Sequence, residues 1–216
     1  MEESTPKEKV LKKIREALVE SNESNSPNID LDETLFYDST DFLDVVFAEK
    51  FVRLGGQFVF CEGVQETIDS IRFFAQKEQW SSIFCCEKII QRILTHAGLT
   101  YSEDANELIL KKVGFSSCKY LLARTGSIMY SSANSGRRMY ANVDTLVFVA
   151  TIDQLVWDMK TAYRLLKEKS LGKMPSMLNT ITGLSEYVDI DGEKVGALGP
   201  KKMFLFLVEP NSITKK

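Results

Sequence analysis

Thr182-Gly183-Leu184-Ser185-Glu186-Tyr187-Val188-Asp189-Ile190-Asp191-Gly192-Glu193-Lys194-Val195-Gly196-Ala197-Leu198-Gly199-Pro200 runs directly into Lys201-Lys202-Met203-Phe204-Leu205-Phe206-Leu207-Val208. The glycines and short hydroxyl side chains of the first part suit a backbone that turns sharply or approaches another group closely. From Met203 to Val208 every residue is apolar, the pattern of a strand buried on both faces. A glycine-rich polar loop feeding such a strand reads as the rim of a site mounted on a sheet.

Upstream, the same kind of strand recurs in alternation with helical periods. Gln57-Phe58-Val59-Phe60-Cys61 precedes an amphipathic pattern at Val64, Ile68, Ile71 and Ala75. Ser82-Ile83-Phe84-Cys85 precedes another at Ile89, Ile90, Ile93, Leu94 and Ala97, closed by Gly98. Thr145 to Ala150 is a further buried run, and Thr151 with Gln154 forms a capping box for a helix carrying Ile152, Leu155, Val156, Met159, Tyr163 and Leu166 inward. Short buried strands alternating with helices predict an α/β fold with a mostly parallel sheet flanked by helices, its parallel strands at 57–61, 82–85, 145–150 and 203–208. Between them, Asp104 to Lys112 suggests a short helix and Val113 to Ser116 a turn or strand. Tyr120 to Ala123 and Ser127 to Ser131 suggest strands.

Toward the N-terminus, residues 40–54 form a helix with Leu43, Val46, Phe47, Phe51 and Leu54 on one face. Residues 5–20 form a separate amphipathic helix, capped by Thr5, Pro6 and Glu8. The polar stretch Ser21 to Asn28 links the two. The expected organisation is therefore an N-terminal helix and linker over 1–30 and a single α/β domain over 31–216.

Composition narrows the function classes. A net charge of −3 and a pI near 5.4 disfavour a nucleic-acid binder, whose phosphate contacts need a basic face. No apolar run is long enough to span a membrane, and the charged N-terminus lacks a signal-peptide core, which points to the cytoplasm. Cys61, Cys85, Cys86 and Cys118 form no C-x-x-C and no zinc or iron–sulfur spacing, so reduced, buried thiols and no metal site are expected. Cys61 and Cys85 each end an expected strand, which leaves open a meeting at one sheet edge. The single histidine, His96, sits where it complements a helix C-terminus.

Two loops collect groups able to hold an anion: Arg124-Thr125-Gly126-Ser127 with Ser132 to Arg138, and Thr182 to Ser185 with Gly196 to Pro200. Glycine frees backbone amides to cradle an oxygen, hydroxyls add donors, and Arg137 or Arg138 can pair with it bidentately. The alternative is that these are tight turns with surface arginines. The expected ligand set is Thr125, Gly126, Ser127, Arg137, Arg138, Thr182, Gly183, Ser185 and Gly199, facing one another across a crevice at the carboxyl edge of the parallel sheet, with a small anionic ligand. Glu62, between a strand and Gly63, is either a carboxylate nucleophile or base, or an exposed residue favoured at the next helix N-terminus. Asp189 and Asp191 either bind a cation or flank a hairpin turn at Asp191-Gly192.

These motifs resemble the LUD domain family, of the lactate utilisation protein C type. Its T-G-P-S-x-x-x-D-I segment matches Thr182-Gly183-Leu184-Ser185-Glu186-Tyr187-Val188-Asp189-Ile190, and its G-x-x-G-P matches Gly196-Ala197-Leu198-Gly199-Pro200. An A-E-T-G-T segment is mirrored by Ala123-Arg124-Thr125-Gly126-Ser127, and a glycine-rich stretch ending in G-R by Ser131 to Arg138. The chain departs from the pattern where Arg124 replaces glutamate, Leu198 replaces histidine and Leu184 replaces proline. The resemblance implies a fold like ribose-5-phosphate isomerase, glucosamine-6-phosphate deaminase and CoA transferases, the last of which use a glutamate nucleophile. It also implies a part in oxidation of L-lactate to pyruvate beside partner subunits that carry iron–sulfur clusters. Lacking the cysteine set, this chain would carry no cofactor and would be an accessory or substrate-side subunit. The alternative is a stand-alone enzyme or binding protein for a phosphorylated or CoA-linked metabolite.

Overall fold

The computed structural model describes residues 42–131, 139–170, 174–184, 186–188, 194–196 and 199–209. The expected N-terminal helix and linker, the Ser132 to Arg138 loop, and Ser185, Asp189, Asp191 and Leu198 lie outside the described residues.

Besides two 3-10 turns, seventeen α-helices and strands follow one another among the described residues: α1 (Leu43–Arg53), β1 (Gln57–Cys61), α2 (Val64–Lys77), β2 (Ile83–Phe84), α3 (Lys88–His96), β3 (Tyr101–Ser102), β4 (Val113–Ser117), β5 (Tyr120–Leu122), β6 (Ser127–Ser131), α4 (Met139–Asn142), β7 (Thr145–Thr151), β8 (Leu155–Val156), α5 (Met159–Lys169), β9 (Leu178–Ile181), β10 (Glu186–Val188), β11 (Lys194–Gly196) and β12 (Lys202–Val208). Six of them form one sheet in the order β1-β12-β7-β4-β2-β3, and every neighbouring pair in it is parallel. All four strands expected from the sequence belong to this sheet, although the second is trimmed to Ile83–Phe84.

β12 and β7 lie inside the sheet, flanked on both sides, because each can bury both faces. Successive strand side chains point to opposite sides. Met203, Leu205 and Leu207 thus join a core with Leu146, Phe148 and Ala150, covered by Phe47 and Phe51 of α1 and by Met139 and Tyr140 of α4. Phe204 and Phe206 join Val113, Phe115 and Val147 on the other side, covered by Ile68 and Ile71 of α2 and Ile90 and Leu94 of α3. Trp80 locks that second core, its ring edge-on to Phe115 and Phe204 at 5.5 and 5.1 Å.

Val113 to Ser116, read as a turn or strand, belongs to an inner strand of the parallel sheet, Val113–Ser117. Several expectations are corrected. Asp104 to Lys112 contributes only a single 3-10 turn, Leu108–Leu110. The Thr151–Gln154 capping box is real but starts a 3-10 turn; β8 follows it, and α5 begins at Met159 with Asp158 as its cap, accepting from Thr161 N at 2.8 Å. β5 and β6 do not join the parallel sheet. They form an antiparallel pair within a second sheet, β8-β5-β6-β9. Cys61 and Cys85 cannot meet, since β12, β7 and β4 separate their strands. β10 and β11 pair antiparallel, as strands flanking a turn at Asp191-Gly192 would. No helix among the described residues is long and apolar enough to cross a membrane.

Candidate functional site

In an open parallel sheet the chemistry collects beyond the carboxyl ends of strands, where neighbouring strands send their connections in opposite directions. β2 and β4 are such neighbours. The chain leaves β2 through α3 toward β3, while β4 leads the other way to β7, and the two connections cover opposite faces. Glu87 stands in this gap, between β2 and the first residue of α3.

Its carboxylate ties the two strand ends together. Oε1 accepts from the Ser116 hydroxyl and from the Ser117 backbone N–H, both at 2.8 Å, and Oε2 accepts from the Ser117 hydroxyl at 2.5 Å. Ser116 Oγ in turn lies 2.9 Å from the Tyr140 hydroxyl. Ser116 is wholly buried and the Tyr140 ring lies tilted against that of Tyr130, with ring centroids 3.8 Å apart. The result is a chain of hydroxyls ending on an ionisable carboxylate at the sheet's carboxyl edge. The sequence reading missed Glu87. Its one signal was an acid placed just after an apolar run, the same signal that singled out Glu62.

Directly beside Ser117 opens a cleft of about 670 Å³. Cys118 and Lys119 follow β4 and Thr151 ends β7, so its floor is formed by the carboxyl ends of two adjacent strands. Gln154 braces that floor: its Oε1 accepts from Thr151 N at 2.8 Å, and its Nε2 donates to the Cys118 carbonyl at 2.6 Å. Lys169 at the end of α5, its C-cap Ser170, and Pro175 close the far side, with the Lys169 ammonium 5.5 Å from the Tyr120 ring centre. Two lysines, three hydroxyl-bearing residues and one carboxylate, Asp153, thus line a space large enough for a small metabolite.

The glycine loops sit elsewhere. Ser127 Oγ lies 2.7 Å from both Thr125 Oγ1 and Thr182 Oγ1, so the structure brings these three hydroxyls together. They belong to the second sheet and to its β9 end, not to the carboxyl edge of the parallel sheet. Their neighbour is the last turn of α1, which enters β1 at its amino end. The Lys50 ammonium donates to the Arg124 carbonyl at 2.5 Å, and Leu184 N donates to the Leu54 carbonyl at 3.4 Å. A Cβ on Gly126 would fall 2.8 Å from Phe51 N, and one on Gly183 would fall 3.2 Å from Leu54 Cβ. The close approach that these glycines permit is therefore that of a helix. Gly199 precedes β12 at the amino edge, where Lys201 N donates to the Asp144 carbonyl. Arg137, Arg138 and Ser185 lie outside the described residues.

Glu62 is exposed at the carboxyl end of β1, and its backbone N–H donates to the Glu66 carboxylate at 2.6 Å. His96 is exposed at the end of α3, with Nδ1 2.7 Å from the Arg92 carbonyl.

Burial pushes the Cys85 thiol up to about 12 and raises Cys61, Cys86 and Cys118 as well. Such thiols stay protonated at neutral pH and react slowly. Of the four, Cys86 alone is not buried. In the native chain Cys86 should be alkylated first by iodoacetamide, and the other three only on unfolding. Peptide mapping that finds Cys85 or Cys118 modified as fast as Cys86 would contradict this. Among the described residues no group of three or more His, Cys, Asp or Glu side chains could hold a metal ion.

Comparison with known proteins places this geometry. The family model described as LUD domain matches residues 94–208, more than half of the chain. No curated protein matches it. Among solved structures it is similar to a DUF162 family protein from Deinococcus radiodurans, at 15% identity and a TM-score of 0.56 over 77% of this chain and 96% of that one. At that identity the likeness shows the fold alone. Ribose 5-phosphate isomerase A from Methanocaldococcus jannaschii aligns at 9% identity over 58% of this chain and 65% of that one, with a TM-score of 0.31, a superposition too loose to argue from.

Proposed function

The chain belongs to the LUD domain family, and from that premise we propose that it is the substrate-side subunit of an iron–sulfur system that oxidises L-lactate to pyruvate. The subtype is that of lactate utilisation protein C. The observation that carries this reading is the cleft beyond β4 and β7, where Lys119 and Lys169 can meet a carboxylate and Thr151 and Ser170 can meet a hydroxyl or carbonyl. Ammonium groups in a partly dehydrated cleft bind an acid anion by charge-assisted hydrogen bonds. The electron-carrying clusters belong to partner subunits, because Cys61, Cys85, Cys86 and Cys118 lack the spacing to hold one.

Two measurements test it. Titration of L-lactate and pyruvate into the full chain should give saturable heats, and Lys119→Ala or Lys169→Ala should weaken binding roughly tenfold or more. Native purification should bring down an iron–sulfur protein. Absence of binding by both acids, together with no iron in the co-purified material, would reject the reading.

The size of the cleft favours a second reading. At about 670 Å³ it far exceeds the needs of a three-carbon acid and falls within the range of sites for drug-sized ligands, roughly 300–1,000 Å³. A phosphorylated or CoA-linked metabolite, bound by a stand-alone protein, fits that volume. Sugar phosphates and CoA esters in the same titration separate the two.

A further inference from the structure

The two edges of the parallel sheet are built differently. At one end β3 is only two residues long, and a short edge strand offers little for another chain to pair with. At the other end β1 is five residues long, and β12 is its only strand partner among the described residues. Its sequence, Gln57-Phe58-Val59-Phe60-Cys61, contains no charge, no proline and no glycine, so it lacks the usual devices that keep an edge unpaired.

A groove of about 280 Å³ runs beside it, between β1 and α1, lined by Asp44, Val45, Ala48, Glu49, Phe58 and Phe60. Its apolar walls are open to solvent: Phe60 is 40% exposed and Val45 49%. The charged groups that line it are of one sign. Asp44 and Glu49 line the groove, while Glu62 and Glu66 stand where the strand ends. Of the two cations on the same helix, Lys50 is turned to the Arg124 carbonyl and Arg53 is its last residue. A second copy of the chain would bring acid against acid here. An extended segment with apolar residues on one side and cations on the other meets both the backbone edge and the acidic rim.

We propose that β1 is a docking edge for a lysine- or arginine-bearing extended segment of a partner protein, which adds as a further strand beside Gln57–Cys61. Main-chain hydrogen bonds would supply affinity, and alternate side chains would enter the groove or meet the rim. The proposal stands apart from the identity of the molecule in the cleft, which lies at β4 and β7.

A short fluorescent peptide alternating valine and lysine tests it by anisotropy on the full chain. Saturable binding that weakens with added salt is expected, with no binding of the matching valine–glutamate peptide. Asp44→Lys combined with Glu49→Lys should weaken binding about tenfold, and Phe60→Lys should weaken it as much or more. Unchanged thermal melts would show that each variant remains folded, and the helix-surface pair Asp44→Lys/Glu49→Lys keeps the test valid if Phe60→Lys does not. Three results overturn the proposal: no saturable binding of the valine–lysine peptide, equal binding by the double variant, or a wild-type dimer that Phe60→Lys dissociates.

Discussion

Replacing Glu87 by alanine is expected to destabilise the chain by about 4 kcal/mol. The carboxylate accepts three hydrogen bonds from two consecutive residues, and Ser116 is fully buried. Hydrogen bonds to a charged group contribute about 1.5–3 kcal/mol each, and a buried donor left unmade costs about 1–3 kcal/mol. The Ser117 and Ser116 hydroxyls can rotate toward other acceptors, and Ser116 already reaches the Ser117 carbonyl at 2.9 Å. The Ser117 backbone N–H has no such freedom, which sets the lower bound of the loss. Glu87→Gln retains one acceptor oxygen but turns a donor toward one of the serines, so about half the effect is expected. Urea denaturation followed by circular dichroism measures both variants. A loss below about 1 kcal/mol for Glu87→Ala would mean that the strand ends are held by other contacts. Because Cys118, the residue after Ser117, lines the cleft, the same variant should also weaken ligand binding there.

How much of this was legible in the sequence depends on how local each signal is. The Met203–Val208 run declares a doubly buried strand without reference to any other residue, and its placement inside the sheet, between β1 and β7, follows. β4 was harder to read because Val113-Gly114-Phe115-Ser116-Ser117 is not an apolar run. The structure supplies the reason. Gly114 leaves room for Met139, whose Cγ would lie 2.9 Å from an added Cβ, and the serines turn to Glu87. Glu87 and its partners are some thirty residues apart, a distance at which periodicity carries no information. Likewise, Thr125, Ser127 and Thr182 could be read as polar groups beside turns, and they do converge. What the sequence could not show is that α1 fills the space their glycines leave.

That last point yields the second large effect. Gly126→Ala is expected to cost about 3 kcal/mol, from two sources that act together. The residue has φ of 65°, in the left-handed region where a side chain adds about 1–2 kcal/mol of strain. Its new Cβ would also lie 2.8 Å from Phe51 N and 2.9 Å from the Lys50 carbonyl carbon. Those are backbone atoms of a packed helix, so relief requires α1 to move as a body. Phe47 and Phe51, stacked on each other with centroids 5.5 Å apart, anchor that helix in the core. Gly183→Ala offers the control. It shares the left-handed backbone, with φ of 69°, but its nearest contacts are Leu54 Cβ and the Leu54 carbonyl oxygen at 3.2 and 3.3 Å, which need to shift only slightly. Strain alone therefore predicts about 1–2 kcal/mol for Gly183→Ala. Thermal and urea unfolding of the two variants should rank Gly126→Ala clearly below Gly183→Ala, with ligand affinity at the cleft unchanged in both. Equal stabilities would show that α1 yields easily at this joint. Lost ligand binding in a variant that remains folded would return the anion site to the glycine loops.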